Sequence, residues 1–231
     1  MRLSPLSALL LLLPSCQVPP SRDLVKNEGL FPPIRYQARH RQTRRLFVAP
    51  LVDARKPLEA FEKGIYPISY TEDGFWERPV REMCEDLLRR EIRDSGIFAG
   101  FAKDRESADW VLEVELTAFH GAVEERIVGR RSYAKAALHA RVLGERGTDG
   151  KRPVLREKDF VVPVRGGAGL VLLRDPHALA AAGFRRCLAF LLQDLDQGGA
   201  LVDGEAPRKT EAAPKRVVPW RARPASSRKD G

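Results

Sequence analysis

The stretch ADWVLEVELTAFHG, residues 108–121, shows the clearest regular pattern in the chain. Apolar side chains occupy every second position from Trp110 to Leu116, and Glu113, Glu115 and Thr117 point to the other face. Successive side chains of a β-strand point to opposite faces of the sheet, so this alternation predicts a strand with one buried and one solvated face. Such a strand belongs in an antiparallel sheet, because parallel strands are normally covered on both faces.

Neighbouring segments extend this sheet. Residues 131–144 and 154–164 are predicted to be strands that follow 108–121 in an antiparallel meander, with the turn sequence GERGTDGKRP between them. The apolar run RLFVAPLVDA, residues 45–54, predicts an earlier strand that Pro50 interrupts or holds near a sheet edge. A short strand is also expected in IYPISY, residues 65–70.

Two segments have helical periodicity. Residues 77–96 carry an apolar stripe opposite a charged face, with Pro79 in the first turn and Gly96 at the end. Residues 174–199 carry a second stripe behind the N-cap residue Asp175. The resulting order is β-α-β-β-β-α. We expect an α+β fold, a two-layer α/β sandwich in which both helices cover one face of the meander.

The flanks of this domain differ from it in composition. Residues 1–15 have an apolar run too short to span a bilayer and are expected to be a lipoprotein signal peptide. Residues 16–44, with two Pro-Pro pairs and no sustained period, predict a flexible tether. The folded domain is expected at 45–199, and residues 200–231 predict a disordered basic tail.

The end of the leader, Leu13-Pro14-Ser15-Cys16, resembles the lipobox of bacterial lipoproteins. In those proteins the leader is removed just before the cysteine, which is then acylated. The resemblance implies a lipid anchor on Cys16, and the following Gln17 implies the inner leaflet of the outer membrane, facing the periplasm. The alternative is a secreted protein in which this cysteine occurs by chance.

The net charge of +9 is unevenly distributed. Residues 1–46 carry +6 and residues 198–231 carry +4, which leaves −1 for residues 47–197. A nucleic-acid-binding domain carries its basic face on the folded part, so nucleic acid is not the expected partner. Basic flanks outside the cytoplasm would meet anionic lipid or cell-wall polymer, or would remain solvated.

Catalytic and metal-binding patterns do not stand out. The run GGAGLVLL, residues 166–173, lacks the Gly-Lys-Ser/Thr of a phosphate-binding loop, and the four histidines are not at metal-ligand spacing. Glu113 and Glu115 share one strand face and are expected to be solvated rather than a catalytic carboxylate pair. We therefore expect a protein that is not an enzyme, with no metal and no cofactor.

Two cysteines lie inside the predicted domain. Cys84 and Cys187 each fall on the apolar stripe of a predicted helix. If the helices pack side by side, the two sulfurs would meet in a disulfide, which requires Cα atoms closer than about 7 Å. The alternative is two separate buried thiols that act as small apolar side chains.

A long connection, residues 55–76, is enriched in aromatic side chains. It holds five of the 17 aromatic residues of the chain: Phe61, Tyr66, Tyr70, Phe75 and Trp76. Long loops in compact domains are often functional, and aromatic side chains are favoured anchors of interfaces. The segment is thus a candidate interaction loop; the alternative is a loop whose rings are buried over the sheet.

The arrangement of these features resembles the ABC-type transport auxiliary lipoproteins, the PqiC-like family. The resemblance rests on the lipobox, the strand RRLFVAPLVDAR, the segment FWERPVREMCEDLLRREIRDSGIF, the strand ADWVLEVELTAFHG and the closing helix, and it covers residues 45–197. It implies a non-enzymatic, lipid-anchored periplasmic component of an envelope lipid-transport system, with envelope transport proteins as partners. The alternative function is a structural tether that binds peptidoglycan or lipopolysaccharide through the basic tail.

Overall fold

The computed structural model describes residues 22–27, 33–55, 64–67, 75–125, 127, 129–166 and 175–199. Within these residues the fold is mixed α+β, with one open sheet and two helices. The elements, in chain order, are β1 Gln42–Val48, β2 Val52–Asp53, β3 Ile65–Pro67, α1 Val80–Ser95, β4 Phe98–Phe101, β5 Trp110–Glu125, β6 Arg130–Leu143, β7 Val154–Arg165 and α2 Pro176–Gly199.

The sheet is built around the long strand β5. Its path runs β4-β1-β5-β6-β7, and β5, β6 and β7 form the predicted antiparallel meander. On its other side β5 is too long for a single partner. It pairs in turn with β1 near Leu112, with β2 at Glu115 and with β3 at Val123. The interruption expected at Pro50 separates β1 from β2.

The sheet is mixed: the predicted meander is antiparallel, whereas the first strand, whose direction was not predicted, pairs in parallel. β1 runs parallel to both β4 and β5, and only β3 and the meander are antiparallel. Helix α1 carries the chain back along the sheet after β1, so β4 enters beside β1 in the same direction. β4 was absent from the predicted order, because the four residues FAGF are too few to show an alternation.

A bulge at Thr117 divides β5 into two halves. Before it, Leu112, Val114 and Leu116 point into the core; after it, Phe119 takes the corresponding place. One extra residue in a strand reverses the side-chain alternation, which explains why the sequence pattern breaks after Leu116.

Both helices contribute to one apolar core with the sheet. The buried stripe of α1 includes Met83, Leu87 and Ile92, and the helix ends at Gly96, whose φ of 69° suits a residue without a Cβ atom. Among the described residues no helix is long and apolar enough to span a membrane.

Candidate functional site

A segment ahead of β1 lies along the two helices. We call residues 22–27 and 33–41 the N-terminal strap. Leu24 is fully buried within the main core, and Val25, Ile34, Tyr36 and Ala38 pack partly against that core. These residues belong to the segment predicted as a flexible tether, yet they contact the domain along its helices.

The strap begins with a buried carboxylate. Asp23 accepts a hydrogen bond from Nε of Arg78 at 2.6 Å and others from the backbone N–H groups of Val25 and Lys26. Burial by itself would raise the pKa of Asp23, but these donors outweigh it and leave the pKa below its usual value. The carboxylate is therefore held charged, and it fixes the turn that inserts Leu24.

Two arginines, one from each helix, hold the strap backbone. Arg185 of α2 is buried, and its Nη2 donates to the carbonyl oxygen of Leu24 at 2.8 Å. Arg90 of α1 donates to the carbonyl oxygen of Val25 at 3.2 Å and pairs with Glu91. Burial lowers the pKa of Arg185 to about 10. A buried guanidinium donates hydrogen bonds to buried backbone carbonyl oxygens that would otherwise lack a donor.

The strap ends at a second buried carboxylate. Asp196 of α2 accepts from the hydroxyl of Tyr36 at 2.8 Å and from the backbone N–H groups of Arg39 and His40. Burial and the bond to this carboxylate raise the pKa of Tyr36 to about 12. Nearby, the N–H of Ala38 donates to the carbonyl oxygen of Ser95, the last residue of α1. The strap thus runs from the N-terminal to the C-terminal ends of the helices.

The aromatic residues of the predicted interaction loop lie in different environments. Phe61 and Tyr70 lie outside the described residues. Trp76 is buried in the core, 5.7 Å from Phe119 between ring centroids, and Phe75 stacks on His177 at 4.0 Å. Tyr66, in β3, is 52% exposed and available for contact.

Charged side chains form a ladder across the solvated face of the meander. Glu113 of β5 contacts Arg105 at 2.7 Å and Arg141 at 3.8 Å. His139 of β6 lies 2.8 Å from Asp159 of β7, whose hydrogen bond raises the pKa of the histidine. These pairs behave as solvated ion pairs. In the described part of the chain, no group of three or more metal-ligating side chains is arranged to hold a metal.

Cys84 and Cys187 are both buried thiols, and the structure has no bond between them. The thiol of Cys187 contacts the carbonyl oxygens of Ala136 at 3.4 Å and Phe160 at 3.5 Å. Burial raises the pKa of this thiol to about 12. The arrangement matches the alternative of two separate thiols.

The sheet edge at β7 borders a shallow groove against α2. Val161 of β7 and Phe190 of α2 expose about half of their surfaces there. On the same edge Asp194 pairs with Arg156 at 2.5 Å and with Lys158 at 2.9 Å. Phe190 lies outside the buried stripe of α2 and was not among the predicted site residues.

The strap residues were missed for identifiable reasons. Leu24 and Val25 form a short apolar pair between polar residues, so no periodicity marks Leu24 as a core residue. Arg185 carried a usable signal, because it lies four residues after Ala181 and three before Leu188, on the buried stripe of α2. A charge inside an apolar stripe indicates that another segment of the protein must cover and bond it.

Comparisons with known proteins give only distant similarities. No protein-family model matches the chain, and no curated protein matches it. Among solved structures, a protein of the family DUF330 from Xanthomonas campestris has 20% identity and a TM-score of 0.46, covering 74% of this chain and 93% of its own. A hypothetical protein from Chlamydia trachomatis has 11% identity and a TM-score of 0.42, over 67% of this chain and 98% of its own. A lipoprotein from Neisseria meningitidis has 13% identity and a TM-score of 0.27, over 68% and 99%.

Proposed function

We propose that this chain is a lipid-anchored protein of the bacterial envelope that serves as a non-enzymatic accessory component of a lipid-transport system. Its place is the inner leaflet of the outer membrane, facing the periplasm. The observation that carries the proposal is the lipobox-like sequence ending at Cys16, six residues ahead of a strap that is bonded to both helices.

The construction of the strap supports anchoring. A domain held to a membrane through its N-terminus experiences any pull at the first residue that is fixed to the fold. Here that point is reinforced by the ion pair of Asp23 with Arg78, by the burial of Leu24 and by the bond from Arg185. Both helices share their core with one face of the sheet, which fits a two-layer sandwich whose helical side the strap fastens.

The accessory role is supported by the surfaces that the domain leaves open. The groove beside Val161 and Phe190 lies at a sheet edge, where an extended segment of another protein can pair with a strand. We propose subunits of the transport system as the partners of this edge.

The first test is the intact mass of the mature protein from a Gram-negative host, with Cys16→Ser as the matched control. The expected mass is that of a chain starting at Cys16 with acyl groups, and the control should lack them. A bare Cys16, or cleavage elsewhere, would overturn the lipid anchor.

The transport role needs a separate measurement in the source bacterium. Deletion of the gene should increase the entry of lipophilic dyes across the outer membrane, and the wild-type chain should reverse this increase. Cys16→Ser should fail to reverse it although the domain still folds. An unchanged permeability, together with unchanged lipid distribution between the membranes, would refute the accessory role.

A further inference from the structure

A fully exposed isoleucine occupies the turn that joins the two longest strands. β5 and β6 remain paired up to Glu125 and Arg130, and a four-residue connection closes the hairpin. Ile127 lies in that connection with its whole side chain in solvent, and Gly129 follows with a φ of 80°. A single exposed apolar side chain is common on protein surfaces, so the side chains around Ile127 decide what this tip can contact.

The same end of the sheet carries a tyrosine and several arginines. Tyr66 pairs with Val123, two residues before the end of β5, and is half exposed. Arg130 and Arg165 keep half or more of their side chains in solvent while contacting Glu125 and Glu124. These side chains match the layers of a bilayer surface. The apolar tip suits the acyl chains, the amphipathic tyrosine ring suits the interface, and the guanidinium groups suit the lipid phosphates.

The strap brings the N-terminal chain to this end. The guanidinium of Arg22 lies 4.3 Å from the ring centroid of Phe75, which stacks on His177 at the start of α2. Pro176, next to His177, packs closely on Gly121 of β5. A Cβ atom added to Gly121 would lie 2.8 Å from the Cβ atom of Pro176. Arg22 and Gly121 therefore lie at the same end of the domain.

Chain length then sets the distance to the anchor. Six residue steps separate Arg22 from Cys16, a reach of at most about 20 Å. β5 continues four residues beyond Gly121, about 13 Å, before the turn that holds Ile127 begins. If Cys16 is embedded in a membrane, the hairpin tip lies within reach of the same surface.

We propose that the domain rests on the membrane through this end, with Ile127 in the apolar layer, Tyr66 at the interface and Arg130 and Arg165 at the lipid phosphates. The occupant of this surface is a phospholipid bilayer that contains anionic lipid. The proposal rests on the anchor at Cys16 for the geometry, and it adds a defined orientation that a lipid on a flexible tether would not give.

Depth-dependent quenching tests this orientation in the lipidated full-length mature protein. A polarity-sensitive dye is attached at Ile127→Cys or, as the matched control, at Thr148→Cys in the turn between β6 and β7 at the opposite end. The protein is reconstituted in vesicles of phosphatidylethanolamine and phosphatidylglycerol that carry nitroxide-labelled lipid. We expect strong quenching at position 127 and none at position 148. Equal quenching at both positions, or none at 127, would overturn the proposal.

Self-association through the tip has a different signature. A second copy of the chain covering Ile127 would shift the emission of the dye in detergent as well as in vesicles, without quenching by nitroxide lipid. That result would also overturn the proposal, and light scattering would report the dimer.

The test of the orientation can be separated from the test of the lipid anchor at Cys16. The mass of the same sample shows whether Cys16 is acylated, and an acylated protein without quenching at 127 refutes only the orientation. If the protein is not acylated, sedimentation with the same vesicles still tests the surface. Ile127→Asp should weaken that binding about tenfold, whereas Leu155→Asp, at the other end of the sheet, should leave it unchanged. Equal binding of the two variants would remove the proposed surface.

Discussion

The Nη2 atom of Arg185 donates to the carbonyl oxygen of Leu24 at 2.8 Å, a contact between residues 161 positions apart in the sequence. Both residues are buried, so the bond joins the helical layer to a segment that the sequence marks as a linker. The stability of the domain should therefore depend on residues well outside the predicted 45–199 boundaries.

Leu24→Ala tests this dependence. Truncating a buried leucine removes apolar contacts and leaves a cavity, so we expect the free energy of unfolding to fall by about 3 kcal/mol. Urea unfolding of the full chain measures the change. The control is Leu155→Ala, where the side chain is 38% exposed and the loss should stay within about 0.5 kcal/mol. If both variants lose equally little, Leu24 is not part of the core.

Gly121→Ala should be among the most harmful small substitutions in the sheet. A Cβ atom at position 121 would lie 2.8 Å from Cβ and 2.9 Å from the carbonyl carbon of Pro176, so β5 and the start of α2 would have to separate. Overpacking of this kind costs about 1–3 kcal/mol.

Gly100→Ala is the matched control, because its new Cβ atom would meet only Cγ of Arg45 at 3.8 Å. Thermal melts of the two variants should show a clear drop for Gly121→Ala and little change for Gly100→Ala. Similar melting temperatures would mean that α2 does not rest on β5 at this point.

His120 and His139 should change the stability of the domain with pH in opposite directions. Burial, with smaller contributions from Lys135 and Arg55, lowers the pKa of His120 to about 4. The unfolded chain takes up this proton near pH 6.5, so His120 contributes stability above that pH that is lost as the pH falls towards 4. His139 acts oppositely: its raised pKa contributes stability below pH 6.5 that is lost as the pH rises through its folded value.

Urea midpoints at pH 8 and pH 5 separate these effects. Relative to the wild type, His120→Gln should reduce the loss of stability on acidification, and His139→Gln should enlarge it. The same change in both variants would contradict the opposite assignments.

The cysteines of the native domain should resist alkylation. Burial raises the pKa of the Cys187 thiol to about 12, so almost none of it is the reactive thiolate at neutral pH, and Cys84 is protected by its complete burial. Iodoacetamide should leave Cys84 and Cys187 unmodified in buffer and modify both in 8 M urea without reductant, as peptide mass mapping would show. A disulfide would appear instead as a linked peptide pair that becomes reactive only after reduction.

Much of the domain could be predicted from the sequence, because its long elements bury one side and expose the other. The alternation around Val114 predicted the meander, and the helical stripe around Leu87 predicted α1, with bounds that agree to within a few residues. β4 and the parallel placement of β1 could not be predicted, since strand direction depends on where α1 returns the chain. Periodicity describes single elements and carries no information about which strands become neighbours.

The candidate surfaces were harder to predict for a related reason. Trp76 and Tyr66 come from one aromatic-rich segment, yet one is in the core and the other in solvent. Composition showed that the segment was unusual, whereas the pairing of β3 with β5 decided which ring stays exposed. Ile127 lay within a turn, where a single apolar residue has no periodic context.

The strap also fixes an order of events during folding. A ribosome delivers Leu24 early, but its contacts on α2, such as Arg185, are made about 160 residues later. Contacts of such long sequence separation form late, because a long loop must close before they contribute any energy. The strap therefore stays open during synthesis and closes over the helices only when the last helix is complete. The strap can therefore bind to the domain only after almost the whole chain has been synthesised.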